Sequence, residues 1–139
     1  MLTRSELLPV PLTRQATNYT CGVAALQAVL GYYGHARRED VLAAALGADP
    51  EQGTNYRRIV AYARECGLQA EAHEGVDLAQ LRAWAAAGRP AIVALQAWAE
   101  PGTVYATAWD DGHYVVVVGC DDERVYCMDP STLGHYTYV

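Results

Sequence analysis

The sequence predicts an α+β fold in which a helical half packs on a mostly antiparallel β-sheet. Up to Gly88, apolar residues recur at helical spacing, and glycines or N-cap residues separate the segments. From Ala91 onward the pattern changes to short β-branched runs bounded by turn residues, of which Tyr114 to Gly119 is the clearest. Helices followed by strands are typical of an α+β domain, and 139 residues suit a single domain over 1–139.

Four helices are predicted before Ala91. Thr20, Thr54 and Asp77 are good N-cap residues, and each stands just before an apolar periodic segment. Glycine is expected to end several helices, because it readily adopts the left-handed conformation of a helix C-terminus. Between the third and fourth of these helices, a short strand is predicted over 68–72. The predicted helices run from Cys21 to about Tyr33, from Arg38 to Leu46, from after Thr54 to Gly67, and from after Asp77 to Gly88.

Four strands follow in the prediction: Ala91 to Ala97, Tyr114 to Gly119, Val125 to Met128 and His135 to Tyr138. The short connection 121–124 predicts an antiparallel hairpin of the second and third strands. In such a hairpin the start of one strand lies beside the end of the other. His113, which begins the second strand, and Asp129, which follows the third, are therefore expected to be neighbours.

Cys21 opens the first predicted helix and is the candidate nucleophile. A thiol attacks as the thiolate, and its pKa of about 8.5 falls at a helix N-terminus or beside an imidazolium. The polar amide of Gln15, shortly upstream, suits the same chemistry. The other cysteines, Cys66, Cys120 and Cys127, are interpreted as structural, because free cysteine is among the most buried residue types.

His113 is the candidate general base among the four histidines, because a central strand would hold its imidazole still. His35 and His73 have the surroundings of solvated loop residues, and His135 is an outside candidate near the C-terminus.

Asp129 is the candidate acceptor that orients the imidazole, since Pro130 stops its strand immediately afterwards. Asp110 and Asp111 are rivals for this role, but they lie on a bending loop next to the histidine and are expected to be solvated.

The set Gln15, Cys21-Gly22, His113 and Asp129-Pro130 resembles the motifs of the bacteriocin-processing, or double-glycine, cysteine peptidases. The chain is similar to a stand-alone member, because it has no apolar run of the ~18 residues of a membrane helix and no phosphate-binding loop of an exporter. The resemblance implies a papain-like fold. Further matches in the same order are Gly31-Tyr32-Tyr33-Gly34, Gly53-Thr54, Gly67-Leu68 and the segment from Leu81 to Val93.

The resemblance also implies the roles of four residues. In that family the cysteine attacks the peptide carbonyl, the histidine is base and acid, the aspartate orients the histidine, and the glutamine helps form the oxyanion hole. These roles fall on Cys21, His113, Asp129 and Gln15. The implied reaction is cleavage of a peptide bond after small residues, such as Gly-Gly in a leader or precursor peptide. Two alternatives stay open: an acyltransferase that uses the same thioester, and a non-catalytic module that binds a peptide or leader.

A long segment before His113, 98–112, carries three aromatic residues that are candidates for binding an extended peptide. These residues are Trp98, Tyr105 and Trp109. Aromatic packing under an ordinary surface loop is an equal alternative on the sequence.

The composition argues against several classes of partner and cofactor. Ten arginines against 16 acidic residues give a net charge of −6, so nucleic acid and anionic membranes are not expected partners. The cysteines lack zinc-knuckle spacing, and the implied reaction needs neither metal nor organic cofactor. The N-terminus does not have the pattern of a secretory signal, so a reducing cytoplasm is predicted. The expected partner is a peptide or protein substrate.

Overall fold

A computed structural model describes residues 6–17, 19–51, 53–96, 112–131 and 136–138. Within these ranges, helices precede strands along the chain, which is the predicted order. The helices are α1 (Cys21–Tyr32), α2 (Glu39–Leu46), α3 (Tyr56–Glu65) and α4 (Leu78–Ala86). The strands are β1 (Ala91–Gln96), β2 (Gly112–Cys120), β3 (Val125–Met128) and β4 (Tyr136–Tyr138).

The strands form one antiparallel sheet in the order β1-β2-β3-β4. The predicted hairpin of β2 and β3 is confirmed, with Cys120 opposite Val125 beside the turn. The register shifts between Val117 and Gly119, which is a β-bulge or a similar irregularity, and Val116 then faces Met128. The start of β2 therefore lies beside the end of β3.

Alternate residues of β2 face different helices, as the period of two of a strand requires. On one face, Val116 and Val118 belong to a buried cluster with Ala25, Ala28 and Val29 of α1. On the other face, the cluster of Val115, Val117 and Cys127 has Leu81 of α4 packed against it. A third cluster joins α1 to α2 and α3. It contains Val23, Leu26, Leu30, Leu42, Leu46, Ile59 and Ala63.

Two predicted helix caps differ from the structure. Thr20 occupies the N-cap position of α1, but its hydroxyl is bonded to Thr17 and makes no cap hydrogen bond. The N-cap of α3 is Asn55, whose Oδ1 accepts from the N–H of Arg57 at 2.9 Å, so the prediction of Thr54 was wrong. Thr54 is buried instead, and its backbone carbonyl accepts a hydrogen bond from the Tyr114 hydroxyl at 3.1 Å.

The predicted strand over 68–72 is also wrong, because this segment is irregular. Its polar groups bond to the end of α3: Leu68 N–H donates to the Ala63 carbonyl at 3.1 Å, and Arg64 Nε donates to the Ala70 carbonyl at 2.9 Å. Asp77, in contrast, caps α4 as predicted, in a reciprocal capping box with Gln80.

None of the helices in the described ranges combines the length and the apolar character needed to span a bilayer. The ends of two predicted strands, Ala97 and His135, lie outside the described residues.

Candidate active site

Cys21 is the first residue of α1, and its side chain is almost enclosed, with 9% of the residue exposed. The first N–H groups of a helix have no intrahelical acceptor and carry partial positive charge. The neighbouring N–H of Gly22 helps to lower the pKa of the Cys21 thiol. The start of α1 therefore favours a negative charge on this sulfur.

His113 and Asp129 lie side by side, as the hairpin predicts. His113 is 2% exposed, and its Nε2 lies 2.7 Å from Oδ1 of Asp129. The same carboxylate oxygen accepts from the N–H of Ser131 at 2.9 Å and from the Ser131 hydroxyl at 2.7 Å. Three donors on one oxygen fix the carboxylate, so the imidazole plane is fixed as well.

The imidazole of His113 also hydrogen-bonds to the thiol of Cys21. Because Nε2 is engaged with Asp129, Nδ1 is the ring nitrogen left for the sulfur. The backbone N–H of Tyr114 is a further donor to the same sulfur. The fold thus brings Cys21, His113 and Asp129 into one hydrogen-bonded row, although they come from three separate parts of the chain.

The electrostatics of this row favour an ion pair between sulfur and imidazole. Burial raises the pKa of Cys21, but the hydrogen bond with His113 and those from the backbone of Tyr114 and Gly22 lower it, and the result lies below the ordinary thiol value. Burial also opposes protonation of His113, yet its hydrogen bonds to Asp129 and Cys21 raise the pKa of His113 to about 9. Burial raises the pKa of Asp129, but bonds from His113 and Ser131 bring it below the usual range. These directions favour the pair of thiolate and imidazolium over the neutral pair, beside an ionised carboxylate.

Gly22 permits the close approach of α1 to β2 at this site. A Cβ atom at this position would lie 2.9 Å from Cβ of Thr54 and 3.0 Å from Cδ2 of Tyr114. The distance to Thr54 is shorter than Cβ contacts in proteins, so one of the two segments would have to shift, and the Tyr114 ring would have to move by a few tenths of an ångström. The missing side chain of Gly22 therefore lets the Cys21 sulfur reach the backbone of Tyr114 and the ring of His113.

Gln15 lies on the segment that leads to α1, and its side chain is held locally. Its Nε2 donates to the Thr17 carbonyl at 2.8 Å, and its backbone N–H donates to the Pro130 carbonyl at 3.1 Å. A primary amide has two N–H donors, so the bond to Thr17 leaves one for another acceptor. The segment that carries Gln15 is thus attached to the turn that follows Asp129.

Ser131 and Tyr114 are parts of this site that the sequence reasoning missed. Ser131 had a local signal, because an aspartate often accepts from the N–H two residues later in an Asx-turn. The backbone contact of Tyr114 had none, since it depends on how closely α1 approaches β2.

The other predicted site residues lie outside the described residues. These are the aromatic candidates Trp98, Tyr105 and Trp109, the rival orienters Asp110 and Asp111, and the histidine His135. His35 and His73 are described and lie apart from the row; His73 pairs instead with Glu71 at 3.2 Å. In the described part of the chain, no group of three or more His, Cys, Asp and Glu side chains is arranged to hold a metal ion.

Comparison with known proteins identifies the family of this chain. Residues 9–138 match the Peptidase C39 family. The chain belongs to that family. This confirms the predicted resemblance to double-glycine peptidases.

Two solved structures have the same fold as this C39 chain. One is a double glycine motif protease from an AMS/PCAT transporter in complex with the leader peptide, with a TM-score of 0.69, 21% identity, and coverage of 96% of this chain and 81% of that one. The other is the peptidase domain of Streptococcus ComA, a bi-functional ABC transporter, with a TM-score of 0.73, 22% identity, and coverage of 94% and 85%. The comparison with curated proteins gives no match. The α+β, papain-like fold is confirmed.

Proposed function

We propose that this protein is a cysteine peptidase in which Cys21 is the nucleophile, His113 the base and acid, and Asp129 the orienting carboxylate. One observation carries the proposal: the Cys21 thiol hydrogen-bonds to His113, whose Nε2 is 2.7 Å from the Asp129 carboxylate. Activation of a thiol requires a base that is hydrogen-bonded to the nucleophile and a third group that orients this base. Membership of a peptidase family supports the same reaction.

The reaction begins with the thiolate of Cys21 attacking the carbonyl carbon of a peptide bond. A carbon–sulfur bond forms, and the carbonyl oxygen becomes an oxyanion. Protonated His113 then gives its proton to the leaving nitrogen as the carbon–nitrogen bond breaks. Water then attacks the thioester carbonyl, and His113 takes a proton from the water. The carbon–sulfur bond breaks, which releases the acid product and restores the thiolate of Cys21. No metal or cofactor enters these steps.

The oxyanion needs hydrogen-bond donors at the site of attack. The backbone N–H of Cys21 is one candidate, because the first N–H of a helix has no intrahelical acceptor. The second is the side-chain amide of Gln15, whose bond to the Thr17 carbonyl leaves one N–H available.

The substrate we propose is a leader or precursor peptide cut after small residues, with a Gly-Gly pair as the first choice. The support is the double glycine motif protease with the same fold, which was crystallised with a leader peptide. A reducing, cytoplasmic setting fits this chemistry, because it would keep the free thiol of Cys21 reduced. Trp98, Tyr105 and Trp109 remain proposed contacts for the substrate.

The test is incubation of purified wild type with a mixture of peptides, some of which contain Gly-Gly, followed by mass spectrometry of the products. Cys21→Ala and Cys66→Ala are run in parallel, and the second is the matched control because Cys66 lies at the end of α3. We expect cutting by wild type and by Cys66→Ala, and none by Cys21→Ala.

Equal cutting by Cys21→Ala would contradict the assigned nucleophile. Products joined to an added amine, in place of free acids, would favour the acyltransferase. Peptide binding with no cutting by any of the three proteins would favour the non-catalytic binding module.

A further inference from the structure

The segment that carries Gln15 is fastened on two sides by backbone hydrogen bonds. The N–H of Gln15 donates to the Pro130 carbonyl at 3.1 Å, and the next N–H, of Ala16, donates to Oε1 of Glu39 at 2.9 Å. Pro130 follows Asp129 in the sheet half, whereas Glu39 begins α2 in the helical half. Two consecutive peptide groups therefore connect the two halves of the fold beside the candidate active site.

Glu39 is well placed to set the position of this segment relative to Cys21. It is the first residue of α2, and Leu42 and Leu46 of that helix are buried in one cluster with Leu26 and Leu30 of α1. Close packing of this kind makes two helices move together. Because Cys21 begins α1, the backbone of Glu39 is held relative to the nucleophile through the core, and the bond to the Ala16 N–H holds its carboxylate.

An oxyanion donor works only when its N–H is already aimed at the developing charge, and small displacements are costly. The side chain of Gln15 is aimed by its own backbone and by the bond to Thr17. The backbone at Gln15 and Ala16 depends in turn on Pro130 and Glu39. A carboxylate acceptor makes a stronger hydrogen bond to a backbone N–H than a neutral acceptor does.

We propose that Glu39 is a positioning residue for catalysis, which holds the Ala16 N–H and thereby aims the Gln15 amide at the oxyanion. This inference rests on the proposed function. Glu39 touches neither substrate nor thiol in this role and acts through Gln15. Replacing Glu39 should therefore change the rate of the chemical step, measured as kcat. The same replacement should have no further effect on kcat when Gln15 is already absent.

Asp40 supplies a matched control. It is the next residue and the other acidic side chain in the first turn of α2, so it interacts with the helix dipole in the same way. Its carboxylate bonds to Arg38 at 2.7 Å and to the N–H of Val41 at 2.9 Å, both local to α2. Loss of Asp40 changes charge and helix capping but leaves the contact between Glu39 and Ala16.

The experiment measures kcat and KM for Glu39→Ala, Glu39→Gln, Asp40→Ala, Gln15→Ala and the double variant Glu39→Ala/Gln15→Ala, on a peptide that wild type cuts. Glu39→Ala is expected to lower kcat about tenfold with little change in KM, which is less than the ~10²- to 10³-fold cost of losing an oxyanion donor, because the Gln15 amide is still present. Glu39→Gln keeps an acceptor oxygen and should recover most of the rate. Asp40→Ala should match wild type, and Glu39→Ala should add little to Gln15→Ala.

A second measurement tests the contact without activity. Hydrogen exchange of the Ala16 amide, followed by NMR, should be faster in Glu39→Ala than in wild type and Asp40→Ala. Unchanged exchange would overturn the proposal whatever the activity. The proposal would also be overturned if Asp40→Ala lowered kcat as much as Glu39→Ala does. It would be overturned as well if Glu39→Ala lowered kcat by the same factor in Gln15→Ala as in wild type. If wild type cuts no peptide while Glu39→Ala still speeds this exchange, the proposed function fails and the contact itself is supported.

Discussion

Two cysteines of this chain are almost equally buried but differ in their chemistry. Cys21, at the start of α1, is 9% exposed, and Cys127, in the middle of β3, is 6% exposed. The pKa of Cys21 lies below the ordinary thiol value, because hydrogen bonds outweigh the effect of burial. Burial, and then the negative charges of Asp129 and Cys120, raise the pKa of Cys127 to about 12. Burial alone therefore does not determine whether a thiol is reactive.

The difference between the two regions lies in the groups that point at each sulfur. At the helix start, the imidazole of His113 and the backbone N–H groups of Tyr114 and Gly22 all donate to Cys21. In the strand, the backbone N–H groups are used by the sheet, and the nearby charge of Asp129 is negative. The same carboxylate stabilises the reactive pair through His113 and suppresses ionisation of Cys127.

The largest expected effect comes from replacing each sulfur in turn. Cys21→Ser keeps the shape of the side chain but supplies a hydroxyl of much higher pKa, so kcat/KM should fall by at least about 10⁴-fold. Cys127→Ala removes a thiol that stays protonated and should leave kcat/KM close to that of wild type. Steady-state kinetics on a cleaved peptide measure both. Comparable losses in the two variants would show that the contrast between the regions has no functional meaning.

The next effect concerns the carboxylate that the two regions share. Asp129→Asn keeps an acceptor for Nε2 of His113 but removes the charge, so the pKa of His113 should fall from about 9 and kcat should drop about 10²-fold. Asp122→Asn is the control, because that exposed carboxylate pairs with Arg82 on the surface. Measured pH profiles should have their alkaline limb at lower pH in Asp129→Asn only. If the alkaline limb of Asp129→Asn lies at the same pH as that of wild type, the charge of Asp129 does not raise the pKa of His113.

The pH dependence of wild type is the third test. The proposed mechanism requires deprotonated Cys21 and protonated His113 before the substrate is attacked. Activity should therefore fall as the pH rises through about 9, where His113 loses its proton, and fall again in acid, where Cys21 gains one. Values of kcat/KM between pH 4 and pH 10.5 should give a bell whose alkaline limb lies near 9. A profile still rising at pH 10 would indicate a neutral thiol–imidazole pair in place of the ion pair.

A smaller effect is expected from the packing that brings α1 to β2. Gly22→Ala should destabilise the fold by about 1–3 kcal/mol, because its Cβ meets Thr54 and Tyr114 at 3.0 Å or less. Gly31→Ala is the matched control in the same helix, since its Cβ would have one contact of 3.0 Å, with Cγ of exposed Pro11, and none with the partly or fully buried residues Tyr114 and Thr54. Urea unfolding compares the two, and alkylation of Cys21 should slow in Gly22→Ala alone. Equal stability of both variants would contradict a special role for the close approach at Gly22.

Much of the candidate site was predictable because it depends on local rules. A short turn brings the start of β2 near the end of β3, as predicted, but the register shift between Val117 and Gly119 was not predicted and is needed to put His113 and Asp129 on the same face. Apolar periodicity likewise placed Cys21 at the start of α1. The hairpin turn and the helix start need only the spacing of residues close together in the chain.

The parts that were missed depend on contacts between distant residues. Thr54 and Asn55 are both good N-cap residues, and the choice between them follows from the packing of Thr54 against Gly22. The carboxylate of Glu39 meets the Ala16 N–H only because α2 packs on α1. The segment 68–72 has strand-like composition, but Leu68 and Ala70 pack against the cluster of α1, α2 and α3, and α3 bonds to the segment's polar groups.

The central claim is that the Cys21 thiol ionises more readily than the almost equally buried Cys127 thiol. Brief treatment with iodoacetamide at pH 7, followed by peptide mapping, gives the alkylation rate of each of the four cysteines in one sample. We expect Cys21 to react at least about tenfold faster than Cys127, because only the thiolate attacks the reagent. Alkylation of Cys21 no faster than that of Cys127 would contradict the claim.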